Sequence, residues 1–377
     1  MKILIAFDSF KGSLTADEAC LAAERGMREA GFKGEVVRIP LSDGGEGLVD
    51  CFLRTEGMLP VSVKVHGPLM EEVHATYAVS EDGEVAYMEM ASACGLTLVP
   101  VERRDPLKAT TYGLGEMMQD AVRRGVKHIV LGIGGSATCD AGRGMLEALG
   151  LQPKQGESLS APLNRCGAHR NDDVGHNAMT VWGTPILTVA CDVDNPLFGE
   201  NGAACVFAPQ KGATPEQVAL LDARLRAFAR ETEERGLAAP EDAFFPGAGA
   251  AGGLGYTLRT YLKAYLKRGV DVVMDAMAFD QAIEGADFVL TGEGCSDEQT
   301  LHGKVAAGVM KRAREKGVKV LLMSGKIKGV ESLKAFGFEK IYDINAGDER
   351  PLSVLMQPEV AKENIRRTCE RMMEELR

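Results

Sequence analysis

The sequence predicts an α/β protein in which a parallel-sheet domain, assembled from both ends of the chain, carries a second mixed α/β domain inserted in its middle. Three observations predict it. Apolar runs alternate with amphipathic helical stretches over the first 60 residues and again from about residue 280, the pattern of a parallel sheet. Between them the period changes to apolar-polar alternation with a tight turn, the pattern of antiparallel strands. Finally, 377 residues exceed the roughly 250–300 at which a single hydrophobic core stops growing. The domains are therefore placed at residues 1–60 with 280–377, and at residues 61–279.

KILIAF reads as a buried strand, and the loop DSFKGSL leads into a helix whose start carries a capping box, Thr15 with Glu18 three residues on. Gly31 ends that helix. VVRIPL and residues 45 to 57 repeat the strand-helix unit. SVKVHG, HATYAVS and EVAYMEM then alternate apolar with polar side chains, and Asp82-Gly83 joins the last two as a hairpin. A helix near residues 111 to 124 follows, then the strand HIVLGIG, a glycine loop, and a short helix ending at Leu149 before Gly150. Residues Gln152 to Trp182 have neither a 3.6 nor a 2.0 period and are expected to be loop-rich and mobile. Thr214 caps a helix over residues 214 to 236, with Pro215 in its first turn and Gln217 completing a second capping box. The alternation returns with DFVLTGEG, KVAAGVMKRAREKG, KVLLMSG, a short helix, KIYDIN and a terminal amphipathic helix.

Composition removes several function classes. A formal charge of -11 disfavours nucleic acid as a partner, because binding a phosphate backbone depends on clustered Lys and Arg. No run of about 18 apolar residues marks a membrane span, and MKILIAF is too short for a leader, so a soluble cytoplasmic protein is expected. Nine cysteines without any C-x-x-C fit neither a disulfide framework nor a zinc module. The six histidines show no ligand spacing.

The informative loops end strands, apart from the one at Gly247, which EDAFFP precedes. Asp8-Ser9-Phe10-Lys11-Gly12-Ser13 lies between a strand and a helix, where the helix dipole and Lys11 favour an anion; the other reading is a turn that merely caps the helix. Asp43, Gly44, Gly45 and Glu46 place two acids beside two glycines at a strand end. Gly132 to Ala137 satisfies G-x-G-x-x-A, but no strand ending in an acid follows to complete a dinucleotide fold. Its amides and Ser136 suit a phosphate, with close packing as the alternative. Gly247, Gly249 and Gly252 form a second such pattern, either a hinge or a ligand loop. Asp192 and Asn195 follow the strand ILTVA, where they can hold a hydroxyl or a metal or form an Asx turn. Glu293, Asp297 and Lys304 set two acids and a base in one strand-loop-helix, yet Lys304 lacks the glycines and hydroxyl of a P-loop.

Eight blocks occur in order along nearly the whole chain: DSFKGSLTADEA, LSDGGEG, ACGLTLVP, TTYGLGE, GGSATCDAGRGM, CDVDNPLFGENGAACVFAPQKGA, PGAGAAGGLG and TGEGCSDEQTLHGK. Together they resemble the bacterial glycerate kinase family in its class I form. The resemblance implies a Rossmann-like domain with an inserted α/β domain, ATP and Mg²⁺ as cofactors, D-glycerate as acceptor and 2-phosphoglycerate as product, from a monomer or homodimer. A kinase for so small an anion needs cations for its carboxylate and an acid near the attacking hydroxyl. Asp192 is expected to orient or deprotonate that hydroxyl, with Asp43 and Asp297 as alternatives for that role or for the metal. Lys11, Lys211 and Lys304 supply charge, Lys11 among the catalytic residues. Ser9, Ser13, Gly134, Gly135, Ser136, Gly249, Gly252 and Lys304 are assigned to ATP, and Asp8, Asn195, Lys211 and Glu293 to glycerate.

The chain also departs from the family pattern. Cys139 stands where the family usually has Asn, and Cys295-Ser296 where it has Arg-Leu; residues 151 to 184 do not read like the family segment. Two rival functions remain at this point. A nicotinamide-dependent hydroxy-acid dehydrogenase would use the two glycine fingerprints, and a non-catalytic small-molecule sensor would keep the fold without turnover.

Overall fold

The computed structural model describes residues 1–42, 44, 47–151, 185–301 and 304–376. Among the described residues the strands are β1 Lys2–Phe7, β2 Glu35–Arg38, β3 Met58–His66, β4 Glu72–Ser80, β5 Val85–Glu89, β6 His128–Gly132, β7 Ile186–Ala190, β8 Tyr265–Lys267, β9 Phe288–Gly292, β10 Lys319–Ser324 and β11 Lys340–Asp343. They divide between two compact units, residues 1–43 with 268–377, and residues 44–267.

In the first unit five parallel strands run in the order β11-β10-β9-β1-β2. The β1 side chains are almost wholly buried on both faces, as a central parallel strand requires. Ile3, Ile5 and Phe7 share a core with Met27, Ile365 and Met372 from the helices Ala16–Glu29 and Pro358–Glu375. Those two helices approach closely at Gly26, where a methyl group would stand 2.3 Å from the Arg366 carbonyl oxygen. The helix Val305–Glu315 is tied to the helix Gly269–Ala276 by Arg312, which bonds Asp275 at 2.6 Å and Asp280 at 2.6 Å.

The strand order makes the centre of this sheet chemically distinctive. From β1 the chain passes to β2 on one side, whereas from β9 it passes to β10 and β11 on the other. The loops leaving β1 and β9 therefore part at their carboxyl ends and open a crevice between them, the switch point at which open α/β sheets bind ligands.

The second unit carries a six-stranded sheet, β3-β4-β5-β6-β7-β8, antiparallel through β3, β4 and β5 and parallel from β5 to β8. The hairpin turns at Gly83 with φ +73°, a conformation that favours glycine. Both capping boxes form, at Thr15 with Glu18 and at Thr214 with Gln217.

The units break at 43/44 and 267/268, whereas the sequence placed its boundaries at 60/61 and 279/280. The helix Leu48–Leu53 belongs to the second unit because Phe52 stacks on Tyr87 with 3.7 Å between centroids, and the Val49 amide donates to Glu89. The helix Gly269–Ala276 belongs to the first through Val270, which packs against Gly308. Asp43, Gly45, Glu46, His302 and Gly303, with the reading for Gln152 to Trp182, lie outside the described residues.

Candidate active site

In the second unit, a cleft of about 340 Å³ opens beyond the carboxyl ends of β6 and β7. Its lining includes Gly134, Gly135, Ser136, Asp192, Lys211 and Ala251. The loop after β6 is clamped from outside. The Ala137 amide donates to the Cys94 carbonyl at 2.9 Å, and the Leu96 amide donates to the Gly135 carbonyl at 2.8 Å. Two of the sequence blocks, ACGLTLVP and GGSATCDAGRGM, are thus one structural element. The clamp also shows why this loop is no dinucleotide fingerprint: Ser136 bridges to Gly95 in an extended pairing, and the helix begins only at Arg143. A fingerprint would open its helix directly at the glycines.

Lys211 sits beneath the loop, with 3% of its surface exposed. Its ammonium donates to Ser136 Oγ at 2.6 Å and to the Thr138 carbonyl at 2.7 Å. Burial disfavours the charged form and pulls its pKa down to about 8, partly offset by Cys139 and Asp140 nearby. At neutral pH it is a positive charge set in a dry wall, with one N–H beyond the two already used. Cys139, buried beside it, has its thiol pushed up to about 11 by desolvation, so it stays neutral and packs as an apolar group.

Asp192 follows β7 and is exposed on the rim of this cleft. Asn195 is turned to its own loop: its amide group donates to the Asn201 carbonyl at 2.8 Å, and its carbonyl accepts from Gly249 at 2.8 Å. Gly249 and Gly252 serve close packing. A methyl at Gly249 would stand 2.2 Å from the Pro196 carbonyl oxygen, and one at Gly252, where φ is +70°, would stand 2.2 Å from that of Thr138. Their neighbours Ala250 and Ala251 are the residues that line the cleft. Asp140, next to the loop, accepts from the Thr111 amide and hydroxyl at 2.9 and 2.8 Å and from Gly142 and Gly144, so it pins the helix start.

In the first unit a cleft of about 370 Å³ lies at the switch point, lined by Asp8, Ser9, Lys11 and Ser13 after β1 and by Glu293, Cys295 and Lys304 after β9. The loop after β1 does not present a row of free amides. Ser9 donates to Asp8 Oδ1 at 2.6 Å, and Phe10, Ser13 and Leu14 are bonded within the turn. Its offer to a ligand is therefore made by side chains, including Ser13 Oγ, which is buried without a hydrogen bond. Glu293 is held on both oxygens, by Thr300 at 2.7 Å and Lys304 at 3.3 Å, with Ser296 at 3.4 Å. Asp297 stands further along that loop, its amide donating to Thr300 Oγ1 at 3.0 Å, and is not part of the cleft lining.

Thus the structure gathers Asp192, Lys211 and Gly134 to Ser136 in one place, and Asp8, Ser9, Lys11, Ser13, Glu293 and Lys304 in another. The sequence reading missed Phe207 and Gln210 in the first group and Lys326, Asn345, Leu352, Leu355 and Met356 in the second. A signal existed for the last three, a short apolar run held between Pro351 and Pro358.

Comparison with known proteins bears on this geometry. The model of the family described as "Glycerate kinase family" matches residues 3–377. A protein named glycerate kinase from Bacillus cereus is 40% identical over 371 residues, covering 98% of this chain and 96% of the relative. One named glycerate 2-kinase from Escherichia coli K12 is 39% identical over 328 residues, covering 87% of this chain and 86% of the relative. A crystal structure described as that of "putative glycerate kinase 2 from Salmonella typhimurium LT2" superposes with a TM-score of 0.82 at 39% identity, over 100% of this chain and 98% of the other. With sequence, fold and ordered motifs in agreement from end to end, the chain belongs to the glycerate kinase family.

Proposed function

We propose that the protein transfers the γ-phosphoryl group of ATP to the 2-hydroxyl of D-glycerate, giving 2-phosphoglycerate in the cytoplasm. The observation that carries the reading is the cleft of the second unit: small, lined by glycines, with one buried ammonium and one exposed carboxylate. A three-carbon hydroxy acid has the matching features, a carboxylate for the cation and a hydroxyl for the acid. The name of the Escherichia coli relative supports the 2-position.

Lys211 and the amides of the Gly134–Ser136 loop, which the sequence reading gave to ATP but which share the cleft of Lys211, hold the glycerate carboxylate, and Asp192 orients the hydroxyl and takes its proton as the O–P bond forms and the bond to ADP breaks. Phosphoryl transfer passes through a loose transition state with charge spread over the phosphoryl oxygens, so positioning and electrostatics matter more than base strength. Lys11 and Lys304 supply countercharge on the donor side. Hard oxygen donors suit Mg²⁺, which needs only one or two carboxylates besides nucleotide phosphates. In the cleft of the first unit Asp8, given to glycerate in the sequence reading, would offer such an oxygen, whereas Glu293 is already held by Thr300 and Lys304; Asp297 on the same loop would be a further oxygen donor. When bound, Mg²⁺ neutralises charge between the transferring and leaving phosphates.

The test is ADP release with ATP, Mg²⁺ and D-glycerate, with the product identified by ³¹P NMR. ADP formation with 2-phosphoglycerate is expected. No ADP at millimolar glycerate in folded protein sinks the reading, and a 3-phosphoglycerate product corrects its position. Nicotinamide reduction by glycerate without ADP release would instead establish a dehydrogenase.

A further inference from the structure

The cleft of the second unit is lined by one residue whose backbone conformation its own side chain opposes. Ala251 sits at φ +51° and ψ +42°, in the left-handed region, where an L side chain crowds the backbone and glycine is the easy choice. Five described non-glycine residues have positive φ, namely Met70, Ala141, Ala251, Lys263 and Ala278; of these it is Ala251 that lines this cleft. Its surroundings impose the conformation. Gly252 follows at φ +70° and Gly253 at φ +91°, the Ala141 amide donates to the Gly252 carbonyl at 3.0 Å, and the Gly253 amide donates to the Gly249 carbonyl at 3.3 Å. The glycines nearby are there for lack of room: a methyl at Gly253 would stand 2.8 Å from Leu197 Cδ1, and one at Gly255 would stand 2.1 Å from the Gly247 carbonyl oxygen. Position 251 is the reverse case, with room for a methyl on a backbone that favours none. A glycine there would present the same amide and carbonyl at lower strain, so what alanine adds is its methyl alone.

We infer that the Ala251 methyl sets the length of the acceptor, admitting a three-carbon 2-hydroxy acid and turning away one that is a carbon longer. The inference rests on the reading of this cleft as the glycerate site. Two observations support it. The methyl belongs to a wall tied to the cation: Lys211 donates to the Thr138 carbonyl at 2.7 Å, and Gly252 is packed against that same carbonyl, to which an added methyl would come within 2.2 Å. An acid whose carboxylate is held by Lys211 is thus measured against a residue anchored on the same atom. Volume alone does not select the acceptor, because about 340 Å³ is at the lower end for ligand pockets yet more than three carbons fill. The competing role is plain packing, since Ala251 also lies against the core of its unit.

Ala251→Gly separates the two roles. Relief of a left-handed alanine is expected to leave the melting temperature unchanged or higher, as is Ala278→Gly at an exposed left-handed position of the first unit; loss of a packing methyl lowers it. Calorimetry on the full chain, with Mg²⁺ and the non-hydrolysable ATP analogue AMP-PNP present, measures the binding of D-glycerate and of D-erythronate, which has the same configuration at C2 and one more carbon. The parent is expected to prefer D-glycerate by about tenfold or more, the scale on which a pocket discriminates one carbon. Ala251→Gly should narrow that preference at least about threefold, whereas Ala278→Gly keeps it. A smaller narrowing overturns the inference, and with a lowered melting temperature it assigns the methyl to packing. A parent that binds the two acids equally, or neither of them, also overturns it. If the preference behaves as described and glycerate yields no ADP, the wall stands and the proposed reaction falls; ADP formation with an unmoved preference keeps the reaction and removes the wall.

Discussion

The two clefts are similar in size, about 340 and 370 Å³, but are made of different materials. In the second unit the lining carries the loop glycines Gly134 and Gly135, the small residues Ala250 and Ala251, and a single buried ammonium held by Ser136 and Thr138. In the first unit the lining combines the lysines Lys11, Lys304 and Lys326 with the aliphatic Ile344, Leu352, Leu355 and Met356. On the proposed assignment, the difference matches what each cleft would recognise. A three-carbon acid offers only a few atoms, and discrimination then requires fixed donors close to it. A nucleotide is long and partly apolar, and distributed contacts suffice.

The sharpest way to break this comparison is at Asp192. Asp192→Asn is expected to lower kcat by about a hundredfold or more, with AMP-PNP affinity unchanged. Near-normal turnover would move the proton-accepting role elsewhere, with Asp43 and Asp297 the next to substitute.

Lys211→Met comes second. It removes the buried charge and leaves Ser136 and Thr138 without their donor, so kcat/KM for glycerate should fall roughly ten- to a hundredfold while nucleotide binding holds. The parent adds a pH signature. As pH rises through about 8 the ammonium is lost and activity falls, whereas the methionine variant lacks that alkaline limb. Stability moves the opposite way. Because the folded-state pKa lies below the ordinary 10.5, the unfolded chain binds more protons between about 8 and 10.5, and this group favours folding increasingly as pH rises through that window. Thermal melts at pH 7 and pH 9.5, compared between parent and Lys211→Met, separate this contribution from the rest. An unchanged alkaline limb in the variant would assign the titration to another group.

Gly252→Ala is the smallest in its effect on catalysis. The added methyl meets the Thr138 carbonyl at 2.2 Å at a φ of +70°, a combination worth about 2 kcal/mol or more of stability. A clear drop in melting temperature, with activity at low temperature reduced only severalfold, fits a packing glycine. A selective loss of ATP affinity would restore this loop as a nucleotide contact.

Much of the fold was legible because local chemistry and tertiary role agree. Thr15 with Glu18, Thr214 with Gln217 and the Asp82-Gly83 turn each announce an element that then forms as read. The candidate site was legible in type but not in grouping. Gly132 to Ala137 and Gly247 to Gly252 look alike in sequence, yet the first lines a cleft with its glycines, whereas the second gives it only Ala250 and Ala251 and packs Gly249 and Gly252 against the carbonyls of Pro196 and Thr138. Only the distance to a neighbouring backbone separates them, and that is set by residues distant in sequence, Pro196 for Gly249 and Thr138 for Gly252. Likewise Leu352 and Met356 carry no chemical signature of their own. Their meaning comes from lysines contributed by other strand ends.

The central pairing of the first sheet has a consequence for how the protein is made. The backbone of Lys2 is bonded to Asp287, 285 positions away, and Ala6 to Thr291, also 285 away. Residues 44–267 form a contiguous unit that can fold as soon as it leaves the ribosome. The apolar strand β1 cannot. At about 5–20 residues per second it waits on the order of 10–50 s for β9 to be synthesised. During that interval β1, apolar from Ile3 to Phe7, has β2 on one side but an open edge on the other, the stage at which chaperone capture or misassociation competes with closure of the sheet.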